Sequence, residues 1–359
     1  MQKVDGIFYA PEASGVKVAV VEPGAFRFAV VGLDHGHIYG MTNGLKEAGA
    51  TLAFVSDPDP AKVHAFQTRH PEAKEASLEE ILSDPSIKLV ASAIRPDKRA
   101  GLGIQVMERG KDFFSDKPGM LTLEDVERVR KVCQKTGRKF LIYFSERIHV
   151  EGAVYGERLI KEGKLGKIVT ITILAPHRLK PASRPDWFWD PKKNGSILGD
   201  IGSHQIEQVL AYAGAKTARV AHSFEGNFHN PSHPEFSDYG DVSLVCDNGT
   251  IGYCRVDWFT PDGLGAWGDG RVFIVGTKAT MEIRKYLDVA RSSSGDQVYV
   301  VDAEGEHHVC ATGKTGFPFF GAMILDCINR TEHAIDQAHV LEAMSITIEA
   351  ANRAERVRR

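Results

Sequence analysis

Cysteine is scarce in this chain and follows no motif. The 359 residues include five cysteines, at positions 133, 246, 254, 310 and 327, and no Cys-x-x-Cys pair. A small odd number without regular spacing is typical of reduced thiols and argues against a disulfide framework. We therefore expect a cytoplasmic protein.

The chain also lacks a large charge excess and a long apolar run. Lys and Arg total 44 against 47 Asp and Glu, a net charge of −3, so the basic face of a duplex-binding protein is not expected. The best apolar stretch, Ile168 to Pro176, has nine residues, whereas a membrane span needs about 20. The first five residues do not resemble a signal peptide. We expect neither a nucleic-acid nor a membrane partner.

What is present is an ordinary globular composition, with 43% hydrophobic and 25% charged residues. At about 100–200 residues per domain, the length predicts two domains. We place an N-terminal extension at 1–25, a first domain at 26–146 and a second domain at 147–359. Within the extension, Val16 to Val21 predicts a strand that we assign to neither domain.

The first domain alternates between short apolar runs and helical patterns. Strands are predicted at 28–31, 51–55, 89–94, 112–115 and 139–144. Helices are predicted up to 46 and at 60–70, 98–109 and 122–136, the last with Thr122 as N-cap and Gly137 after its end. This alternation is typical of the doubly wound parallel sheet of a Rossmann domain.

The second domain changes pattern and predicts an α+β fold with a large, mostly antiparallel sheet. Asn248-Gly249 is a strong hairpin signal between strands at 241–246 and 250–258. A second hairpin is predicted from 271–275 and 280–284. Helices are predicted at 151–162, from about 203, at 319–328 and at 339–356, the last being a candidate to pack back on the first domain.

The segment Val31 to Gly40 lies where the first turn of a Rossmann domain binds a pyrophosphate. Helix N-terminal amides attract anions there, and glycine lets the backbone approach. Gly32 matches the first glycine of the G-x-G-x-x-G pattern, but Asp34 and His37 take the second and third glycine positions. The segment predicts an irregular nucleotide site, with an ordinary strand–helix turn as the alternative.

Asp57 follows the second predicted strand, 25 residues after Gly32. A carboxylate there can accept hydrogen bonds from both ribose hydroxyls of NAD and would repel the 2′-phosphate of NADP. The alternative is a helix-capping aspartate before Pro58. We expect NAD, with NADP less favoured.

His35 and His37 form a His-x-His pair that resembles half of a metal site. No third ligand lies at a suitable spacing in the sequence, and we therefore expect no metal.

Two further segments carry side chains suited to acid–base chemistry. Lys117 follows the fourth predicted strand, at the strand end where ligands bind, although a surface lysine is the alternative. His204 lies in the first turn of a predicted helix that Ser203 would cap, and the helix dipole disfavours its protonated ring. Asp200 can orient it, whereas the alternative is a capping segment with a buried histidine.

Together these segments resemble the Gfo/Idh/MocA oxidoreductase family over roughly residues 26–355. Ala93 to Pro96 follows the third strand, and Asp116-Lys117-Pro118 resembles the family's E-K-P with Asp for Glu. Ser145-Glu146-Arg147 is similar to the segment that enters the second domain. Asp200, Gly202 and His204 match its D-x-G-x-H. The departures are Asp34, His37 and Asp116.

The resemblance implies an NAD-dependent dehydrogenase that acts on a polyol, a sugar or a related carbonyl compound. The expected catalytic residues are His204 as base, Lys117 on the reacting oxygen and Asp200 beside them, and the roles of lysine and histidine can be reversed. The expected cofactor residues are Gly32, Asp34, His37, Asp57, Ile94, Pro96 and Asp116.

Substrate contacts are expected from the irregular segment 177–194, chiefly from His177, Arg178 and Trp187. The outer face of the antiparallel sheet is expected to form a dimer or tetramer, as is common in the family. Two other functions stay open: a redox-neutral, NAD-dependent glycoside hydrolase or lyase, and a non-catalytic nucleotide-binding protein.

Overall fold

The computed structural model describes residue 11, residues 15–16 and residues 19–357. The predicted strand Val16 to Val21 includes residues 17 and 18, which lie outside the described residues. Its described part at 19–21 is not a strand; instead the amide of Val20 donates to the carbonyl of Ala48 at 3.0 Å. The chain divides into two compact units. Of the described residues, the first unit holds those up to 143 and residues 316–341, and the second unit holds residues 144–315 and 342–357.

The first unit contains a sheet of six parallel strands. They are β1 (Arg27–Val31), β2 (Thr51–Ser56), β3 (Lys74–Glu75), β4 (Ile87–Ser92), β5 (Asp112–Ser115) and β6 (Phe140–Ile142). Their order is β3-β2-β1-β4-β5-β6, so the direction of winding reverses between β1 and β4. The predicted Rossmann-type sheet is confirmed, and a ligand is expected at the carboxyl ends of β1 and β4.

Five helices connect these strands. They are α1 (His37–Glu47), α2 (Pro60–Arg69), α3 (Leu78–Ser83), α4 (Pro96–Glu108) and α5 (Leu123–Thr136). The predicted ends of α5 are confirmed, because the Thr122 side chain accepts from the Asp125 amide and Gly137 is left-handed. The prediction missed β3 and α3, since a two-residue exposed strand has no apolar pattern. The Ser77–Glu80 capping box marks the start of α3.

The second unit is built on a sheet of nine strands. They are β7 (Ile168–Pro176), β8 (Ala218–Gly226), β9 (Tyr239–Cys246), β10 (Ile251–Asp257), β11 (Arg271–Gly276), β12 (Thr280–Arg284), β13 (Gln297–Asp302), β14 (Gly305–Cys310) and β15 (Glu355–Val357). The order is β14-β13-β12-β11-β7-β10-β9-β8-β15. Most neighbours are antiparallel, as predicted, while β7 with β10 and β8 with β15 are parallel.

The remaining helices are α6 (Ser145–Ile148), α7 (Glu151–Lys161), α8 (Pro191–Asn194), α9 (Ser196–Asp200), α10 (Gly202–Ala213), α11 (Pro318–Asn329) and α12 (Gln337–Arg353). Helix α11 and the start of α12 belong to the first unit, where Phe320 of α11 lies where a side chain on Gly44 would be. The predicted last helix is too long at its end, because residues 355–357 leave it and form β15 beside β8.

Helix α10 is buried along nearly its whole length. It lies against β7, β9 and β10, and a Cβ on Gly252 of β10 would come within 2.6 Å of Val209 of α10. The predicted cap at Ser203 is wrong. Helix α9 continues almost directly into α10, so Ile201 already has helical dihedral angles, and the Ser203 hydroxyl instead donates to the Asp200 carbonyl at 3.2 Å.

Candidate active site

The turn after β1 is joined to the loop after β4 through Gly32. This residue has φ +80°, and a Cβ on it would lie 2.6 Å from the Cβ of Ile94. Its carbonyl accepts from the amide of Ala93 at 3.2 Å, and its amide donates to the carbonyl of Ser56 at 2.9 Å. Glycine is therefore required by both the dihedral angle and the close approach. The predicted cofactor residues Gly32 and Ile94 are in contact.

Asp34 stands at the second glycine position with its charge compensated. One carboxylate oxygen lies 2.5 Å from the Lys62 ammonium of α2, and the other accepts from the Arg95 amide at 2.8 Å. Partial burial would lower the pKa of Lys62, but the hydrogen bond to Asp34 and the negative charges of Asp34, Asp57 and Asp59 together outweigh it and raise that pKa. The side chain is thus directed at α2 and the loop before α4.

Asp57, at the end of β2, bridges two turns. Its carboxylate accepts from the Leu33 amide at 2.7 Å and from the Asp59 amide at 2.9 Å. The cap of α2 is Asp59, whose side chain accepts from the Ala61 amide. The alternative of Asp57 as the helix cap is therefore wrong, and its carboxylate stands beside the first turn instead.

The two histidines of the first turn meet Asp116, which follows β5. Nδ1 of His37 lies 2.8 Å from Oδ1 of Asp116, and Nδ1 of His35 lies 3.4 Å from Oδ2. The His35 ring also accepts from the His37 amide at 3.2 Å, at the start of α1. Potential ligand atoms of these three residues lie within 4.8 Å of one another. This third group was not predicted, because Asp116 is distant from both histidines in the chain.

The charges around Asp116 favour a hydrogen-bonded cluster over a metal site. Arg99 donates to Oδ2 at 3.0 Å, and the Lys117 amide donates to Oδ1 at 2.8 Å. Burial would raise the pKa of Asp116, but Arg99 and the two histidines hold it well below its usual range. Burial also lowers the pKa of His35 well below its usual value. A divalent cation would have to compete with an ion pair already formed.

Lys117 follows this cluster and is buried. It lies two residues after the end of β5, whose carboxyl end lies beside that of β4 in the sheet. Pro96 begins α4 at the end of the neighbouring loop. The first unit therefore brings most of its predicted site residues to the carboxyl edge of the sheet near the point where the strand order reverses.

His204 lies in the first turn of α10 and is buried. Its ring is 6.5 Å, centroid to centroid, from the ring of Phe144. Asp200 ends α9, four residues earlier, and is partly exposed. The second unit thus places the predicted base and its predicted acidic neighbour at one helix junction.

A buried polar network lies beside this junction. Glu146 of α6 accepts from the Lys285 ammonium at 2.9 Å and from the Gln205 side chain at 3.0 Å. Nε2 of His177 lies 3.7 Å from the same carboxylate. Burial would raise the pKa of Glu146, but Lys285, His204 and His177 lower it well below its usual range. The carboxylate is therefore charged and faces both histidines.

The three predicted substrate residues have different surroundings. His177 is buried, with its ring against those of Trp258 and Trp267. The Arg178 guanidinium donates to the carbonyls of Pro261 and Leu264, at 3.1 and 2.7 Å, and so supports the loop after β10. Trp187 is partly exposed in a 3₁₀ turn at 186–189, beside the ring of Phe188.

Two charged residues of these networks were not found from the sequence. Lys285 ends a strand pattern and carries no motif. Arg99 did have a signal: it lies on the apolar face of α4 with Gly103 and Val106, at spacings of four and seven. An arginine in such a row is expected to be buried and paired.

Two family models and a solved structure that match this chain indicate the same protein family. The model described as "Oxidoreductase family, NAD-binding Rossmann fold" matches residues 26–144, and the "GFO/IDH/MocA C-terminal domain" matches residues 156–282. A solved structure of an inferred oxidoreductase from Erwinia carotovora atroseptica SCRI1043 is 43% identical, with a TM-score of 0.90. The match covers 93% of this chain and 100% of that one. Among the described residues, no helix is long and apolar enough to cross a membrane.

Curated relatives share less sequence. The scyllo-inositol 2-dehydrogenase (NAD(+)) of Bacillus subtilis is 27% identical over 72% of this chain and 73% of that protein. The NADP(+) enzyme IolW of the same organism is 27% identical over 48% of this chain and 49% of its own length. The chain thus spans about half the length of some curated relatives that it matches. The matches to both family models and to the Erwinia protein show that this chain belongs to the Gfo/Idh/MocA oxidoreductase family.

Proposed function

We propose that the protein is an NAD-dependent dehydrogenase that transfers a hydride between nicotinamide and the CH–OH group of a polyol, a sugar or a related carbonyl compound. The observation that carries the proposal is the carboxyl edge of the first sheet, where Asp57 follows β2 and Lys117 follows β5. Relatives named as inositol and xylose dehydrogenases support the substrate class.

The first unit has groups that suit a dinucleotide. The start of α1 offers helix N-terminal amides to a pyrophosphate, and the ion pair with Lys62 neutralises Asp34 nearby. Asp57 offers a carboxylate to ribose hydroxyls. With Asp59 beside it, this carboxylate would repel a 2′-phosphate, and we therefore infer a preference for NAD over NADP. When bound, the nicotinamide supplies the hydride acceptor.

The chain's own residues supply the proton chemistry. We assign the removal of the hydroxyl proton to His204, which is held at the start of α10. Lys117 donates a hydrogen bond to the reacting oxygen and stabilises its developing negative charge. Asp200 binds a neighbouring hydroxyl or shares the proton. His177 and Trp187 are assigned to the sugar face, while Arg178 supports the nearby loop.

Turnover tests this assignment directly. The purified chain is supplied with NAD⁺ and a panel of polyols and sugars, and NADH formation is followed by absorbance. We expect Lys117→Ala and His204→Ala to lower kcat about 10²–10⁴-fold. Exposed residues of the same types, changed in Lys74→Ala and His64→Ala, serve as controls.

Three outcomes of this experiment would contradict the assignment. Cleavage of a glycoside without NADH accumulation would favour the hydrolase or lyase. Nucleotide binding without turnover on the whole panel would favour a binding protein. Full activity in both alanine variants would show that neither Lys117 nor His204 takes part in the reaction. The pH profiles of the two variants decide which of the lysine and the histidine acts as base.

We also propose a cytoplasmic homo-oligomer. All five cysteines are free, and four are buried, as a reducing compartment allows. In β7, Ile171 and Ile173 are buried, whereas Leu174 is half-exposed on the opposite face with Phe273 and Tyr253 of the neighbouring strands. These apolar side chains share that face with Arg255 and Arg271, the cross-strand neighbours of Leu174. A mixed face of aromatic, aliphatic and arginine side chains suits contact with a second copy. Light scattering of wild type and Phe273→Glu tests it: a monomeric wild type would contradict the proposal.

A further inference from the structure

Arg99, near the start of α4, connects two loops of the first unit. It is 1% exposed. Its Nε donates to the Ile94 carbonyl at 2.7 Å, in the loop after β4, and its Nη2 donates to Asp116 at 3.0 Å, in the turn after β5. Its Nη1 donates to the carbonyls of Lys117 and Pro118, the latter at 3.1 Å. One guanidinium therefore holds four acceptors on two segments.

The main chain of Lys117 is held at both of its peptide groups. Its amide donates to Oδ1 of Asp116 at 2.8 Å, and its carbonyl accepts from Arg99. Nδ1 of His37 lies 2.8 Å from the same Oδ1 of Asp116, while Arg99 donates to Oδ2. These bonds set the position and direction from which the Lys117 side chain leaves the backbone.

We propose that Arg99 is a positioning residue for Lys117. It fixes the Asp116-Lys117-Pro118 turn against the loop after β4, and thereby sets where the Lys117 ammonium meets the reacting oxygen. This inference rests on the proposed function, because the role of Lys117 belongs to that proposal. A misplacement of about 1 Å in a catalytic group can cost about 10²-fold in rate.

The shape of the side chain makes the inference specific. A guanidinium is planar and has five N–H donors in a fixed fork. A lysine keeps the positive charge beside Asp116 but has a single donor atom, which cannot reach acceptors on both segments. Arg99→Lys therefore separates the role of the fork from that of the charge.

The test compares Arg99→Lys and Arg99→Ala with Arg109→Lys in the full chain. Arg109 follows the same helix and pairs with Glu79 in solvent, so it is the matched control. For Arg99→Lys we expect kcat to fall about 10–100-fold, with the substrate KM and the NAD⁺ affinity within about threefold of wild type. We also expect added guanidinium ion to restore part of the activity of Arg99→Ala but not that of Lys117→Ala.

A merely structural role predicts a different pattern. Activity and nucleotide affinity would then fall together, in step with the unfolded fraction seen by circular dichroism, and guanidinium would restore nothing. That pattern, or a folded Arg99→Lys with wild-type kcat, would overturn the inference. If Arg99→Ala does not fold, Arg99→Lys alone gives the kcat and KM comparison.

Amide hydrogen exchange gives a readout that does not depend on turnover. We expect peptides that contain residues 116–120 to exchange at least about tenfold faster in Arg99→Lys than in wild type or in Arg109→Lys. Unchanged protection would contradict the positioning role. Absence of wild-type turnover would instead contradict the proposed function, while the exchange result would still decide whether Arg99 holds the turn.

Discussion

Lys285 and Glu146 form an ion pair in the interior of the second unit. Nζ lies 2.9 Å from Oε2, and the two side chains are 0% and 3% exposed. Gln208 accepts a second hydrogen bond from the ammonium at 2.7 Å, and Gln205 donates to the carboxylate. Burial lowers the pKa of Lys285, and the charge on Glu146 opposes that shift. The pair holds α6, α10 and the end of β12 together.

Removal of one member of this pair is expected to destabilise the second unit strongly. Glu146→Leu leaves a buried ammonium without its counter-charge and should lower the free energy of unfolding by about 3–5 kcal/mol. Urea unfolding followed by circular dichroism measures it. Arg158→Met breaks the exposed pair with Glu162 and should cost under about 1 kcal/mol. Equal costs for the two variants would show that the buried pair has no special role.

Gly32→Ala is expected to damage both stability and nucleotide binding. A Cβ would meet the side chain of Ile94 at 2.6 Å, and φ is +80°. The left-handed dihedral alone costs about 1–2 kcal/mol, and the clash adds to it by displacing the loop after β4. We expect a loss above about 2 kcal/mol in urea unfolding and at least about tenfold weaker NAD⁺ binding by calorimetry.

The control for this variant is Gly110→Ala. Gly110 has a similar φ of +76°, but nothing lies within 4 Å of the position that an added methyl group would take. Gly110→Ala therefore measures the free-energy cost of the left-handed dihedral angle without the clash. If both variants lose the same stability and keep the same NAD⁺ affinity, the contact between Gly32 and Ile94 does not shape the site.

His70 makes stability depend on pH. Burial against Tyr39 and Phe66, and then the nearby Lys46, lower the pKa of His70 to about 4, while Glu72 opposes the shift. The unfolded chain takes up this proton near pH 6.5, so the stabilising contribution is full above that pH and is lost as the pH falls towards 4.

The variant His70→Phe keeps the ring and removes this titration. When the pH falls from about 7 to about 4.5, we expect the free energy of unfolding of this variant to decrease by about 1–2 kcal/mol less than that of wild type. We reduce this figure because Lys46 and Glu72 stand in solvent. The control is His64→Phe, at an exposed position on α2, the helix whose end His70 caps. If it flattens the pH dependence as much as His70→Phe, the effect does not come from His70.

The fold was largely predictable because its signals are local. The alternation of apolar runs with helical patterns predicted the parallel sheet. Asn248-Gly249 predicted the hairpin of β9 and β10, and the antiparallel pairing of these strands confirms it. The predictions failed where a strand is very short or where one helix continues into the next. The two residues of β3 give no pattern, and α9 runs into α10 without the cap expected at Ser203.

Local signals in the sequence indicate where single candidate site residues lie, but they do not indicate the network around them. Lys117, His204 and Asp57 belong to motifs at strand or helix ends, where sequence order indicates position. The hydrogen-bond networks beside these residues depend on tertiary contacts, which the order of residues in the sequence does not show. Asp116 joins His37 across 79 residues of chain, and Glu146 meets Lys285 across 139.

The proposed binding of NAD depends on Asp57 more than on any other residue named above. Its sharpest test is calorimetry with NAD⁺ and NADP⁺ on wild type, Asp57→Ala and Asp59→Asn. Asp59 caps α2 two residues away and controls for loop damage. We predict that wild type prefers NAD⁺, that Asp57→Ala weakens NAD⁺ binding at least about tenfold, and that Asp59→Asn changes it little. Binding of neither nucleotide by the wild type would contradict the cofactor assignment.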